Sequence, residues 1–335
     1  MTDFALLISD WYRLNARELP WRSTKNAYFI WLSEVILQQT RVDQGMKYYL
    51  NFIENYPNLK QLADADEESI LKLWQGLGYY SRARNLHKTA QQVRDEYQGE
   101  FPKTYSEIIQ LKGIGPYTAA AISSFAFDLP HAVVDGNVYR ILSRYYGIDE
   151  PIDSTQGKKT FQALADSLIP SSDPALFNQA IMEFGAMQCI PNNPNCESCV
   201  LNQSCFSAFN SELIKKLPIK KGKTKVRKRY FHYLHIENKH EIALDQRTGK
   251  DVWEKLYEFP MIESTDESIP LIFADSAQLI YQTKHILSHQ HIYAFFYTSD
   301  KSEIAGLDFK FVEKSRFEDY PIHRLMEKYL ESNSK

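Results

Sequence analysis

The chain is poor in cysteine, in long apolar runs and in surplus positive charge. Four cysteines occur in 335 residues, all between 189 and 205. That excludes a disulfide-stapled secreted framework and points to a local metal-type cluster in a reducing compartment. No stretch of ~18 apolar residues occurs, so no membrane-spanning helix is expected. The first twenty residues carry Asp3, Asp10, Arg13 and Arg17, unlike a secretory leader, and an intracellular location is expected. With 39 basic and 42 acidic residues the net charge is −3, so a surface for a polyanion must be local. The concentrated positive stretch is 211–229, with nine basic residues and one acidic. Its composition reads as a linker, and it can also strap across a phosphate backbone.

What is there is ordinary for a globular protein: 44% hydrophobic and 24% charged residues, enough for a sizeable core and, at this length, two domains. Apolar residues recur at helical spacing from Phe4 to Tyr12, and again over 27–40, 43–56, 66–75, 85–98, 104–110, 155–168 and 175–187. No strand pattern precedes residue 229, so residues 1–210 are expected to be all-α. Beyond the linker, RYFHYLHI, EIALDQR and HIYAFFYT read as strands and 320–330 as a final helix, giving a smaller α+β domain over 230–335. It lacks any REXXEE-like run, the glutamate-rich helix that an active nucleotide pyrophosphatase needs.

The stretch that carries the most chemistry is LKGIGPYTAAAISSFAFDLPHAVVDGNVYR, residues 111–140. Gly113 and Gly115 free two backbone positions for positive φ. Pro116 suits the first turn of a helix. The helix N-terminus so formed is a site for an anion such as a DNA phosphate, or merely a tight corner. Asp135 precedes a second helix. It is either a plain N-cap or an ionised carboxylate, held so by amides and dipole, that stabilises a developing cation. Glu34 is the one acid in AYFIWLSEVILQQT. It is either at a solvated edge or buried with a raised pKa, and a second facing carboxylate would make it interesting. Leu77 and Tyr79, in the glycine turn QGLGYYSRARN, suit a wedge between bases or an aromatic helix corner.

The cysteine spacing is Cys189-x6-Cys196-x2-Cys199-x5-Cys205. Four thiolates suit zinc or a four-iron cluster; one close pair flanked by wide gaps fits the cubane better.

Together, the 111–117 hairpin, Asp135 in VVDGNVYR and the four cysteines resemble the helix–hairpin–helix DNA glycosylase superfamily. LSEVILQQTRV and QGLGYYSRARNLHK resemble, within it, the adenine DNA glycosylases of the MutY family. The resemblance implies an all-α helix–hairpin–helix domain with an iron–sulfur loop, followed by a MutT/Nudix-like domain. It implies a monomeric enzyme that removes adenine opposite 8-oxoguanine or guanine in double-stranded DNA. By position, Glu34 would be the catalytic acid and Asp135 the stabiliser of the cationic sugar, with Tyr117 and Asn137 lining their site. Gln39, Thr40, Leu77 and Tyr79 would probe the lesion and its stack, Gly113 and Gly115 would meet backbone phosphate, and Ser288 and His289 would check for 8-oxoguanine. Cys189, Cys196, Cys199 and Cys205 would hold a [4Fe–4S] cluster. Leu287 stands where the family has Phe, and KLYEFP at 255–260 departs from its glycine-leucine-tryptophan run. Tyr117 stands where strand-cleaving relatives carry a lysine nucleophile, which implies a monofunctional enzyme. The rivals are an endonuclease III-like glycosylase/lyase for oxidised pyrimidines, disfavoured by Tyr117 and the C-terminal domain, and a non-catalytic iron–sulfur DNA-binding protein.

Overall fold

The computed structural model describes residues 3–222, 226–274, 277–299, 307 and 309–333. The helices are α1 (Asp3–Asn15), α2 (Ala27–Ile36), α3 (Val42–Asn55), α4 (Leu59–Asp64), α5 (Glu67–Leu73), α6 (Ser81–Glu96), α7 (Tyr105–Ile108), α8 (Pro116–Phe127), α9 (Gly136–Tyr146), α10 (Thr155–Leu168), α11 (Pro174–Met187), α12 (Ser211–Lys216), α13 (Leu271–Ala274) and α14 (Arg324–Asn333). The strands are β1 (Arg227–His235), β2 (Glu241–Gln246), β3 (Tyr257–Glu258), β4 (Met261–Ser264), β5 (Gln278–Ile286), β6 (Gln290–Thr298) and β7 (Lys310–Glu313). Two compact units form, Met1–Ala63 with Lys88–Gly222, and Asp64–His87 with Lys223–Lys335.

The first unit is a helical bundle around α8 and α11. Helix α8 is almost wholly apolar or small, from Thr118 to Ala126, and every residue in that run is buried. A helix without a polar face belongs in a core. It packs against α2, α7 and α11, and α11 packs in turn on α1 and α9. Buried Asn178 of α11 fixes the segment between α8 and α9. Its Nδ2 donates to Ser124 Oγ (2.9 Å) and His131 O (2.8 Å), and its Oδ1 accepts from Val133 N (3.1 Å). Three bonds from one side chain thus set where Asp135, two residues on, meets α9.

In the second unit, one sheet runs β4-β1-β6-β5 and the other β3-β2-β7. β1 and β6 are parallel, with Phe231 opposite Ala294 and Tyr233 opposite Phe296. The core includes Phe231, Tyr233, Phe259, Phe296 and Tyr329. Buried Glu258 is shared by three donors, Arg247 Nη1 (2.6 Å), Tyr233 Oη (3.0 Å) and His323 Nε2 (2.9 Å).

Four details differ from the sequence reading. The helix expected over 27–40 stops at Ile36, and Gln39 takes a left-handed φ of 54°. The 211–229 stretch contains α12 and the start of β1. Strands β3, β4, β5 and β7 lie outside the three stretches read as strands; β3, β4 and β7 are only two to four residues long, and β5 has exposed or half-buried side chains that show no apolar alternation. The final helix begins at Arg324, after a 3-10 turn over Lys314–Asp319.

Replacing Asn178 by Leu strands the buried Val133 amide and the buried Ser124 hydroxyl, each costing about 1–3 kcal/mol. Denaturant unfolding followed by circular dichroism should show the helical unit destabilised by roughly that much per group; an unchanged midpoint would mean the loop is held by other contacts.

Candidate active site

Glu34 sits on α2 between Ile30, Trp31, Leu32, Val35 and Ile36, all buried, and is itself 8% exposed. Asn26 caps this helix, its Oδ1 accepting from Tyr28 N at 2.9 Å. Burial pushes the Glu34 carboxyl up to about 7, and the negative charge of Asp135 adds to the rise. A hydrogen bond with Tyr117 and the charge of Arg22 act the other way. The facing carboxylate that sequence alone left open is therefore present, and it is Asp135.

Asp135 caps α9 with both oxygens engaged. Oδ1 accepts from Asn137 N (2.9 Å) and Val138 N (2.8 Å), and Oδ2 accepts from Asn137 Nδ2 (2.9 Å). The sequence reading expected this environment to lower its pKa. Burial instead raises it, against the pull of these bonds and of Arg140. The two acids thus differ in hydrogen bonding rather than in the sign of their shifts. Asp135 has three N–H donors that favour its anion, and Glu34 faces one phenol.

Asn137 is held in turn. Its Oδ1 accepts from Arg140 Nη2 at 2.8 Å. Arg140 also donates to Gly185 O (2.6 Å) and Cys189 O (2.7 Å). A Cβ on Gly185 would lie 2.6 Å from Asn137 Cβ, so only glycine lets α11 approach α9 this closely. Tyr117, on the first turn of α8, donates its hydroxyl to Met182 Sδ at 3.2 Å. Burial and the nearby charges of Glu34 and Asp135 push its phenol well above the usual value.

Glu34, Thr40, Tyr117, Asp135 and Asn137 line one cavity of about 190 Å³. Other lining residues do not follow from the sequence: Trp21, Leu37, Met182, and buried Glu183 with its half-buried partners Arg17 and Arg22. Arg17 Nε and Nη2 and Arg22 Nη2 all lie 2.7 Å from the Glu183 carboxylate. Burial alone would raise Glu183, but these bonds overcome it and hold the acid at about 2. Glu183 is a lone acid in an apolar helix, the same signal that singled out Glu34. Its arginine partners lie more than 160 residues away in sequence, so its ionisation was not legible there.

The other sequence candidates fall elsewhere. Gly113 adopts a φ of 74°, but Gly115 has an ordinary φ of −96° and caps α8 with open space above it. Its role is clearance, not the positive φ expected. Gln39 is exposed. Within the second unit, Leu77, Tyr79, Ser288 and His289 line a separate cavity of about 530 Å³, with Arg84, Trp253 and His285. Leu77 is buried, whereas Tyr79 is 49% exposed at a left-handed φ of 50°.

The four cysteines are free, half-buried and line one small cavity. They lie near enough to bear on one another's ionisation. Among the described residues no three metal-ligating side chains converge on a single-ion site. Arg144 reaches Cys189 Sγ at 3.5 Å and ties down the loop through Ile190 O, Pro191 O and Ile214 O at 2.6–2.8 Å. A cation beside the sulfurs suits anionic thiolate ligands. Among the described residues no helix is long and apolar enough to cross a membrane.

The raised Glu34 carboxyl makes a stability statement. Its folded-state value, about 7, lies above the ordinary 4.5, so the folded protein holds this proton more tightly. Wild-type stability should therefore fall as pH rises from 4.5 to 7 and stay lowered above. Glu34→Gln removes the penalty, worth up to roughly 3 kcal/mol. Thermal unfolding should show the variant more stable than its parent at pH 8.5 and no more stable at pH 4.5; a pH-independent difference would contradict the burial account.

Two family profiles match the chain: the HhH-GPD superfamily base excision DNA repair protein over residues 32–168, and the NUDIX domain over residues 232–332. The adenine DNA glycosylase of Buchnera aphidicola subsp. Baizongia pistaciae is 38% identical over 296 residues, covering 87% of this chain and 84% of that protein. The adenine DNA glycosylase of Mus musculus is 42% identical over 214 residues, covering 61% of this chain and 42% of that one. Among solved structures, a thermostable thymine-DNA glycosylase matches with a TM-score of 0.56 at 30% identity, covering 60% of this chain and 93% of its own. A trapped endonuclease III–DNA covalent intermediate matches at 0.53 with 22% identity, covering 61% and 96%; that likeness concerns the fold alone. With the hairpin, the paired acids and the clustered cysteines in place, the chain belongs to the adenine DNA glycosylase family, a helical base excision repair domain followed by a Nudix-like domain.

Proposed function

We propose that this protein hydrolyses the N-glycosidic bond of adenine opposite 8-oxoguanine or guanine in double-stranded DNA. The observation that carries the reading is the pairing of Glu34 and Asp135 across one cavity, one acid protonated near neutrality and the other engaged by three N–H donors. An adenine within a duplex must be extruded to reach such a cavity, at a cost of a few kcal/mol that is smaller at a mispair. Glu34 protonates N7 of the flipped base and makes it a leaving group. Asp135 remains anionic and stabilises the oxocarbenium ion, as in two-carboxylate glycosidases. Glu34, now a carboxylate, takes a proton from the attacking water. The Glu183 ion cluster with Arg17 and Arg22 forms a polar wall of the same cavity. Tyr117 supplies no amine, so no Schiff base forms and the strand stays intact.

The second cavity supports the reading of the partner base. It brings Leu77 and Tyr79 together with Ser288 and His289, the positions assigned to 8-oxoguanine. Exposed Gln39 and Tyr79, both at left-handed φ, hold side chains out at a strain cost of about 1–3 kcal/mol each, as intercalating probes would. Gly113 and Gly115 leave the α8 N-terminus open to a phosphate.

Cys189, Cys196, Cys199 and Cys205 would hold a [4Fe–4S] cluster, whose part is to order the 189–205 loop. Iron analysis and absorbance near ~400 nm should accompany the purified protein; zinc in its place would refute this assignment.

Purified protein should release adenine from duplexes with adenine opposite 8-oxoguanine or guanine, nick only after alkali, and leave a thymine-glycol duplex intact. Cleavage of the thymine-glycol strand without alkali would favour the endonuclease III-like rival. Glu34→Gln should bind the mispair within a few-fold of the parent and release adenine roughly 10²–10⁴-fold more slowly. Release at the parental rate would remove Glu34 from the mechanism.

A further inference from the structure

We propose that the turn carrying Leu77 and Tyr79 is pinned at both ends by the Nudix-like domain, and that Gln75 is a positioning residue whose bonds to that domain fix the wedge relative to Ser288 and His289. The inference rests on the reading of Leu77 and Tyr79 as the wedge and of Ser288 and His289 as the check for 8-oxoguanine.

The segment Asp64–His87 forms one unit with Lys223–Lys335, although it lies far from the strands in sequence. Within it, Gly76, Gly78 and Tyr79 all take left-handed φ, of 93°, 74° and 50°. Glycines leave a turn many alternative shapes, so this one depends on what holds its ends. On the entry side, Gln75 Nε2 donates to Glu327 Oε1 of α14 at 2.8 Å, and Gln75 Oε1 accepts from Ile322 N at 3.2 Å. On the exit side, Arg84 donates from Nη1 to Glu254 O at 2.9 Å and from Nη2 to Glu254 Oε2 at 2.8 Å. Between them the buried Tyr80 hydroxyl accepts from Gly76 N at 3.2 Å and donates to Ile322 O at 3.5 Å. Each end thus has one bond to a carboxylate, the stronger and more directional kind.

8-Oxoguanine and guanine differ on one edge, in the C8 oxygen and the N7 proton. Reading that edge needs a set distance between the wedge that holds the stack and the loop that meets the base. Both line one cavity. A turn free to shift forfeits the lesion-specific contact, whereas guanine, which makes no such contact, loses little.

Gln75→Glu sets a second carboxylate against Glu327 and breaks the entry pin. Adding Glu327→Gln reverses the pair: the position-327 amide now donates to position 75, which still accepts from Ile322 N, and the position-327 oxygen still accepts from Arg324. In the DNA-free, full-length protein, amide hydrogen exchange over residues 76–80 should speed up about tenfold in Gln75→Glu, the scale of one hydrogen bond to a charged group. It should return to the parental rate in the double variant. Binding is then measured to duplexes with a fluorinated, uncleavable adenosine opposite 8-oxoguanine or guanine. The preference for 8-oxoguanine should fall by about the same factor in Gln75→Glu and recover in the double variant. Gln75→Met removes both bonds without adding charge and keeps the test open where Gln75→Glu fails to fold. Unchanged exchange at the turn, an unchanged preference, or an equal loss with and without Glu327→Gln overturns the proposal. Neither readout needs turnover, so a protein that releases no adenine refutes the glycosylase reading alone. A parent with no preference refutes the reading of Ser288 and His289, and the exchange rates still test the pin.

Discussion

The structure turns on the burial of one carboxyl. Glu34 is surrounded on α2 by Ile30, Trp31, Val35 and Ile36, and water cannot solvate its charge there. The acid keeps its proton to about pH 7, where an exposed glutamate would have lost it. In the proposed mechanism such a group works only opposite a second carboxyl on the same cavity. The rest of the helical unit arranges that: Asn178 fixes the loop before Asp135, Gly185 admits α9 to close range, and Arg140 anchors Asn137 and, through it, the Asp135 carboxylate.

The two acids are separated chiefly by what donates to them. Glu34 is buried and Asp135 half-buried, and desolvation raises both. Backbone amides at a helix start stay aimed at Asp135 whatever its protonation state, which favours the anion. A phenol can turn, so Glu34 is held less firmly. Glu183 shows the third outcome, in which two arginines make a buried acid permanently ionic. One cavity therefore contains a carboxyl raised by burial, a carboxyl held by N–H donors and an ion cluster, all built from the same side-chain chemistry.

Much of this was legible in the sequence, and the reasons are local. Helix α8 could be read because its residues are apolar all round and open on a glycine and a proline. Asp135 could be read as a cap because the residues before it are apolar and those after it helical. The cysteine set was plain from spacing. What escaped depended on distant residues. The arginine partners of Glu183 come from the other end of the helical domain. The shift of Asp135 was misjudged because donors can be counted from a cap motif, whereas burial is contributed by elements elsewhere in the chain. Strand β5 escaped because half-exposed edge residues carry no two-residue apolar period. The early stop of α2 at Ile36 was hidden because Gln39 and Thr40 are unexceptional in a helix; the left-handed turn that exposes Gln39 is imposed by the fold.

The central claim is that a protonated Glu34 initiates bond cleavage opposite an ionised Asp135. The most direct measurement is the single-turnover rate of adenine release from an adenine–8-oxoguanine duplex between pH 5 and pH 9. A rate that declines with the loss of one proton, with its midpoint at or above about 7, is the predicted result. A rate that is flat or climbs through that range would contradict the account.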